Sequence, residues 1–234
     1  AHWLAQADVQ GIVVTHGTDT LEETAWFLQR ALAPGRPVVL ASAMRPATAV
    51  SPDGPQNLLD AIAIARTPGA RGVVAVSAGA VHGAADVRKV HPYRTDAFGS
   101  GDAGPIGWME GGALRQLRDW PGTPADPRLI ERIAAAAQPP RVEIVHSHAG
   151  ADGRVVELLV DDGVQGLVVA ATGNGTVHAD LESALLAAAG RGVRVVRSTR
   201  CAEGRVVAQA TDLLPAAPLT PAKARVDLQL DLLA

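Results

Sequence analysis

Only one cysteine, Cys201, stands in 234 residues. That excludes an intrachain disulfide framework and a cysteine-rich zinc site. Aromatic residues make up 3% of the chain. The four tryptophans, Trp3, Trp26, Trp108 and Trp120, share no spacing, so they read as packing residues and not as a stacking platform. No run of about 18 apolar residues occurs, which excludes a helical membrane span. Neither sign of charge dominates: 21 Lys and Arg against 24 Asp and Glu leave a net charge of −3, too little for a broad nucleic-acid footprint. Neither a membrane nor a nucleic acid is therefore an expected partner. The sequence does hold 47% hydrophobic and 19% charged residues, enough to bury a real core.

The apolar residues come in strand-length and helix-length blocks. Gly11–Thr15 is a short β-branched run suited to a strand covered on both faces. Thr20-Leu21-Glu22-Glu23 has capping-box spacing, so a helix is predicted to start there and to stop at Pro34-Gly35. Leu21, Ala25, Phe27, Leu28 and Leu32 form its expected buried stripe. Strands at 37–41 and 72–76 flank a helix around 57–65. This β-α-β-α-β alternation predicts a parallel sheet with right-handed crossovers. The 85–93 stretch reads as extended or hairpin structure. A Gly-, Pro- and Asp-rich tail follows to about residue 125.

A second α/β pattern occupies 141–234, with strands at 141–146, 166–171 and 192–197. Its helices are predicted at 153–161, 179–189 and 221–233, the second of them a core helix. The expected organisation is α/β with two domains: a larger N-terminal parallel-sheet domain over 1–123, a linker over 124–140, and a smaller C-terminal domain over 141–234. The linker carries a short predicted helix at 129–137.

In open parallel sheets, sites form beyond the carboxyl ends of the strands. Thr15-His16-Gly17-Thr18-Asp19-Thr20 follows the first strand and is the most reactive-looking of these ends. A hydroxyl beside a carboxylate at a helix amino end can position or attack, with helix amides stabilising negative charge. Threonine needs a base. Lys89 is a candidate, since a desolvated lysine can lose its proton. The plainer reading is that Thr18, Asp19 and Thr20 only cap a helix, and that Lys89 beside Arg88 is a solvated pair. His16 is a general base or a structural histidine. His146 and His148 share a strand face, but two ligands do not make a zinc site. Gly173-Asn174-Gly175 reads as a tight turn, and Cys201 as an inert thiol.

Gly11-x-Val13-x-x-His16-Gly17-Thr18-Asp19-Thr20-Leu21, continuing through Glu22-Glu23-Thr24-Ala25-x-Phe27-Leu28, resembles the second signature of the bacterial-type L-asparaginases. Ala43-Met44-Arg45-Pro46 with Asp53-Gly54-Pro55-x-Asn57-Leu58 is similar to the block that follows in that family. Asp86-Val87-x-Lys89 with Asp96-Ala97-Phe98-x-Ser100 resembles the strand bearing its catalytic lysine. Gly173-Asn174-Gly175, Val195–Arg200 and Lys223-Ala224-Arg225 resemble parts of its smaller domain.

The resemblance implies hydrolysis of the L-asparagine side-chain amide, with no metal and no organic cofactor. It implies a homotetramer whose active sites are shared between subunits. Thr18, Lys89 and Asp19 would form the reactive unit, with Asp19 also gripping the substrate's α-ammonium. Ala43 would offer its backbone carbonyl near the scissile amide. Asn174 from a neighbouring subunit would help bind the α-amino end. The family's other motif, a Thr-Gly-Gly-Thr-Ile-type strand with the nucleophilic threonine, is not found in this sequence, nor is the tyrosine-bearing mobile loop. The expectation is that a segment preceding Ala1 supplies them, and that the protein is cytoplasmic. Two other readings stay open: a related glutaminase or amidotransferase amidase, and a catalytically incomplete member that binds amino acids or scaffolds an oligomer.

Overall fold

The computed structural model describes residues 1–122, 124, 126–210 and 212–233. The chain divides into two compact units, Ala1–Asp126 and Pro127–Ala234. The boundary expected at residue 123 falls on a residue outside the described set.

In the first unit, β1 (Ile12–Thr15), β2 (Pro37–Ala41) and β3 (Gly72–Ser77) pair in parallel, as the β-α-β-α-β alternation predicts. Beyond β3 the sheet turns antiparallel, through β4 (Ala80–Gly83) and the hairpin β7 (Gly107–Glu110) and β8 (Ala113–Gln116). The order is β1-β2-β3-β4-β7-β8, so the larger sheet is mixed and the parallel reading holds for its first half. The turns at Gly79, Gly111 and Gly112, all with positive φ, allow strands this short to reverse directly. A separate two-stranded ladder joins β5 (Arg88–Lys89), inside the 85–93 stretch expected to be extended, to β6 (Phe98–Gly99), which lies beyond it.

Side chains alternate across β2 and β3. Val38, Leu40, Val73 and Ala75 pack with Leu21 and Ala25 of α1 (Leu21–Leu32). Val39, Ala41, Val74 and Val76 pack with Ala61 and Ile64 of α2 (Gly54–Ala65) on the other face. The strand order runs β1-β2-β3 without reversal, yet α1 and α2 lie on opposite faces. The two crossovers therefore have opposite hands, which corrects the expectation that both are right-handed. Three strands in unreversed order can be covered on both faces by their own connections in no other way. Both β2 and β3 are buried along their whole length, consistent with their continuous apolar runs.

The helix starts where the capping-box spacing predicts, but Thr20 does not cap it through its side chain. Thr20 precedes the helix with φ −118° and ψ 17°, and its side chain makes no capping hydrogen bond. Glu22 and Glu23 still place negative charge in the first turn, where the helix dipole favours it. The buried positions of α1 are Leu21, Ala25, Gln29 and Ala31, so the expected stripe is rotated; Phe27, Leu28 and Leu32 are half-buried. Gln29 Oε1 accepts the Val73 backbone N–H at 2.7 Å, tying α1 to the start of β3.

The second unit begins with α3 (Leu129–Ala135) and has a three-stranded parallel sheet in the order β11-β10-β9. Its strands are β9 (Val142–His146), β10 (Gly166–Ala171) and β11 (Arg194–Thr199). Here α4 (Arg154–Asp161) and α5 (Ala179–Gly190) cover one face, through Val156, Leu181 and Leu185. The other face is covered by α6 (Pro221–Asp231), through Ala224 and Leu228. Among the described residues no helix is long and apolar enough to cross a membrane.

Replacing Gln29 with Met keeps the volume and removes the acceptor, leaving a buried backbone N–H without a partner. Chemical denaturation should show a loss of about 1–3 kcal/mol; an unchanged midpoint would show that Gln29 does not join α1 to the sheet.

Candidate active site

Lys89 reaches residues some seventy positions away. Val87 is fully buried in the core on the α1 side, and the β5–β6 pairing of Lys89 with Phe98 fixes the backbone that follows. From there the Lys89 Nζ donates to Thr18 Oγ1 at 2.9 Å and to Asp19 Oδ1 at 2.7 Å. The Thr18 hydroxyl lies 3.5 Å from Asp19 Oδ1. These three residues, singled out from the sequence, are brought together by the fold as one constellation. It sits just before α1, beyond the carboxyl end of β1.

The three members differ in exposure. The Lys89 side chain is 19% exposed and that of Asp19 is 91% exposed. The ammonium is therefore largely sheltered while the carboxylate stays open to a ligand. The hydrogen bond from Lys89, then its charge, hold the Asp19 carboxyl below its ordinary range against a small opposing desolvation. Asp19 is thus an anion at neutral pH, with a hydroxyl and an ammonium at fixed distance.

His16 is settled by its partners. Its Nδ1 lies 2.7 Å from the Gly17 carbonyl and its Nε2 3.0 Å from Thr24 Oγ1. A carbonyl only accepts, so Nδ1 carries the proton; in the neutral ring Nε2 then accepts from the threonine hydroxyl. Both ring nitrogens are engaged in holding the 16–18 loop to α1. That favours the structural reading of His16 over the general base.

The loop after β2 is pinned as firmly, by two residues whose part in the site the motif alone did not reveal. Asp53 Oδ2 accepts the Met44 N–H and Oδ1 the Arg45 N–H, both at 2.9 Å. Buried Asn57 donates through Nδ2 to the Ser42 carbonyl at 2.8 Å and accepts the Ala78 N–H at 3.0 Å. Ala43 sits exposed between these anchored neighbours. A Cβ on Gly54 would come within 3.1 Å of the Ala43 Cβ, so glycine lets α2 start against this loop. The signal was present as Asp53-Gly54-Pro55-x-Asn57, and its meaning is a clamp on the backbone around Ala43.

Asn174 belongs to the second unit, on the exposed Thr172–Thr176 turn after β10. Its amide pairs with the Val207 main chain, accepting its N–H at 2.7 Å and donating to its carbonyl at 3.1 Å. His146 ends β9 exposed, and His148 Nδ1 donates to the Ala149 carbonyl at 3.0 Å. Among the described residues no group of three or more His, Cys, Asp or Glu side chains is placed to hold a metal ion. Cys201 is exposed and free.

Residues 2–121 match the family model described as asparaginase, N-terminal, and residues 141–234 that of the glutaminase/asparaginase C-terminal domain. The chain is 36% identical over 233 residues to L-asparaginase 2 of Escherichia coli (strain K12), covering 95% of this chain and 66% of that protein. It is 34% identical over 231 residues to glutaminase-asparaginase of Pseudomonas fluorescens biotype A, covering 94% and 62%. The crystal structure of a probable cytoplasmic L-asparaginase from Campylobacter jejuni superposes with a TM-score of 0.88 at 33% identity, covering 98% of this chain and 78% of that one. The chain spans slightly less than two thirds of the length of the Escherichia coli relative and of L-asparaginase 2 from Bacillus subtilis (strain 168).

The folded-state value of Asp19 is lowered, so the stabilisation from the Lys89 contact is present above the ordinary carboxylate range and is lost as pH falls through the lowered value. A carboxyl-carbon NMR titration should find Asp19 protonating at lower pH than an isolated aspartate, and Lys89→Met should move it back up. An identical titration in both proteins would mean that the contact does not exist in solution.

Proposed function

The chain belongs to the asparaginase family, and we propose that the protein hydrolyses the side-chain amide of L-asparagine to L-aspartate and ammonia. The observation that carries this reading is Lys89 Nζ within hydrogen-bond reach of both Thr18 Oγ1 and Asp19 Oδ1. Lys89 would accept the Thr18 hydroxyl proton as Thr18 takes one from the attacking water. The oxygen adds to the amide carbon. When the tetrahedral intermediate collapses, the carbon–nitrogen bond breaks and the proton passes to the departing nitrogen, which leaves as ammonia. The net change is one water added and one ammonia released.

Asp19 has the complementary task. An open carboxylate, kept ionised by its neighbour, is a natural partner for the substrate's α-ammonium. Ala43 would present its carbonyl to the scissile amide from the loop clamped by Asp53 and Asn57. Asn174 would act at the α-amino end from a second copy of the chain, in a homotetramer with shared sites. Exposed Leu59 and Ile62 on α2 and Val155 and Leu158 on α4 give apolar surface that supports association. The similarity to a glutaminase-asparaginase supports a side activity on L-glutamine. A cytoplasmic location draws support from the Campylobacter jejuni structure, whose name states that compartment.

The test is ammonia release by the full-length protein from L-asparagine across neutral to alkaline pH. Thr18→Val and Lys89→Met should each lower kcat/KM by about a thousandfold, the scale of a lost acid–base group. Absence of ammonia from the unsubstituted protein would overturn the reading. So would wild-type rates in either variant. Sedimentation should show a tetramer; a fully active monomer would contradict the shared site.

A further inference from the structure

The turn that presents Asn174 is held at each of its three central residues by β11 and the segment after it. Thr199 Oγ1 donates to the Gly173 carbonyl at 2.7 Å. Asn174 is clasped by the Val207 main chain in both directions. Arg197 Nη1 donates to the Gly175 carbonyl at 3.1 Å. Arg197 is 8% exposed, and its Nη2 pairs with Asp212, itself mostly buried. The guanidinium lies flush against the turn: a Cβ on Gly175, where φ is +89°, would come within 3.2 Å of Nη1 and 2.9 Å of Val206 Cγ1.

Burying an arginine and an aspartate is a poor way to gain stability, since apolar residues of similar volume do as well or better. What a guanidinium offers instead is rigid, planar geometry with several donors in fixed directions. Here one edge reaches the Gly175 carbonyl and another the Asp212 carboxylate. A lysine has no such fork. The main chain of Arg197 is fixed as well: its N–H donates to the Pro215 carbonyl and its carbonyl accepts the Ala217 N–H, both at 2.8 Å. The charge pair therefore joins the 212–217 stretch, β11 and the Asn174 turn at one buried point.

We propose that Arg197, with Asp212 as its counter-ion, is a positioning residue that fixes the turn carrying Asn174, and so sets affinity for the α-amino end of the substrate and leaves the bond-breaking step untouched. This rests on the asparaginase reading for its kinetic consequence, and on the hydrogen bonds alone for its structural one.

The test uses the full-length protein with Arg197→Met and Asp212→Leu combined, so that no unpaired charge stays buried. KM for L-asparagine should rise about tenfold, the loss expected of one charge-assisted hydrogen bond, with kcat little changed, as for lost uniform binding. Arg197→Lys should fall between this variant and wild type. Adding Asn174→Ala to the double variant should raise KM no further, because Arg197 acts through Asn174. Amide hydrogen exchange at Gly175 and Thr176 should quicken in step. If the double variant does not fold, Asp212→Asn, which keeps an acceptor for Nη2, is read in the same way with a smaller shift. A lowered Tm with unchanged KM, or unchanged exchange in the turn, overturns the proposal. If the wild-type protein neither turns over nor binds L-asparagine, the asparaginase reading has failed instead, and exchange in the turn alone decides: quickened supports the positioning role, unchanged refutes it.

Discussion

The contact from Lys89 to Thr18 and Asp19 is the constraint on which the site depends. It joins a loop at the start of α1 to a two-residue strand that is outside the main sheet. Neither piece has reactive geometry without the other. The sheet serves this contact: β1 delivers Thr18 and Asp19 beyond its carboxyl end, and burial of Val87 under α1 holds the backbone from which Lys89 extends. His16, engaged at both ring nitrogens, ties the same loop to α1. Asp53 and Asn57 do the same for the loop after β2. The reactive atoms are thus few, and the residues that hold still the backbone around them are more numerous.

Because β1 and β2 are parallel neighbours, the starts of α1 and α2 follow strand ends that lie side by side, whichever face each helix covers. The loops bearing Thr18 and Ala43 then sit on adjacent strands, β1 and β2, whose registers pair Thr15 with Ala41. In the second unit the same three-strand order is covered by α4 and α5 on a single face, and the other face is left for α6. One strand order is used twice, with different distribution of cover.

Much of this could be read in the sequence, because it is local. The apolar runs at 37–41 and 166–171 read as strands and are buried along their whole length, whereas Gly11–Thr15, the run suited to cover on both faces, forms β1, which is only half-buried and ends exposed at Thr15; the helix at 179–189 is marked by its length and apolar content. Thr18, Asp19 and Lys89 were legible as a set through their resemblance to a family signature; composition alone left helix capping open for Thr18 and Asp19 and favoured a solvated pair for Lys89. What could not be read was non-local. Crossover hand is decided by which face needs cover, and no residue announces it. The capping box at Thr20 had the right spacing, but the backbone entering α1 does not bring its side chain onto the helix amides. The Asp53 and Asn57 clamp and the Arg197–Asp212 pair depend on loops meeting in space, so their residues carried no role until the fold supplied one.

The claim that Thr18 and Lys89 act as one unit is tested most directly by a double-mutant cycle on kcat/KM for L-asparagine. If they pass the same proton, combining Thr18→Val with Lys89→Met should leave the enzyme about as slow as either single variant. Losses that multiply would show that the two residues act independently, and would contradict the account.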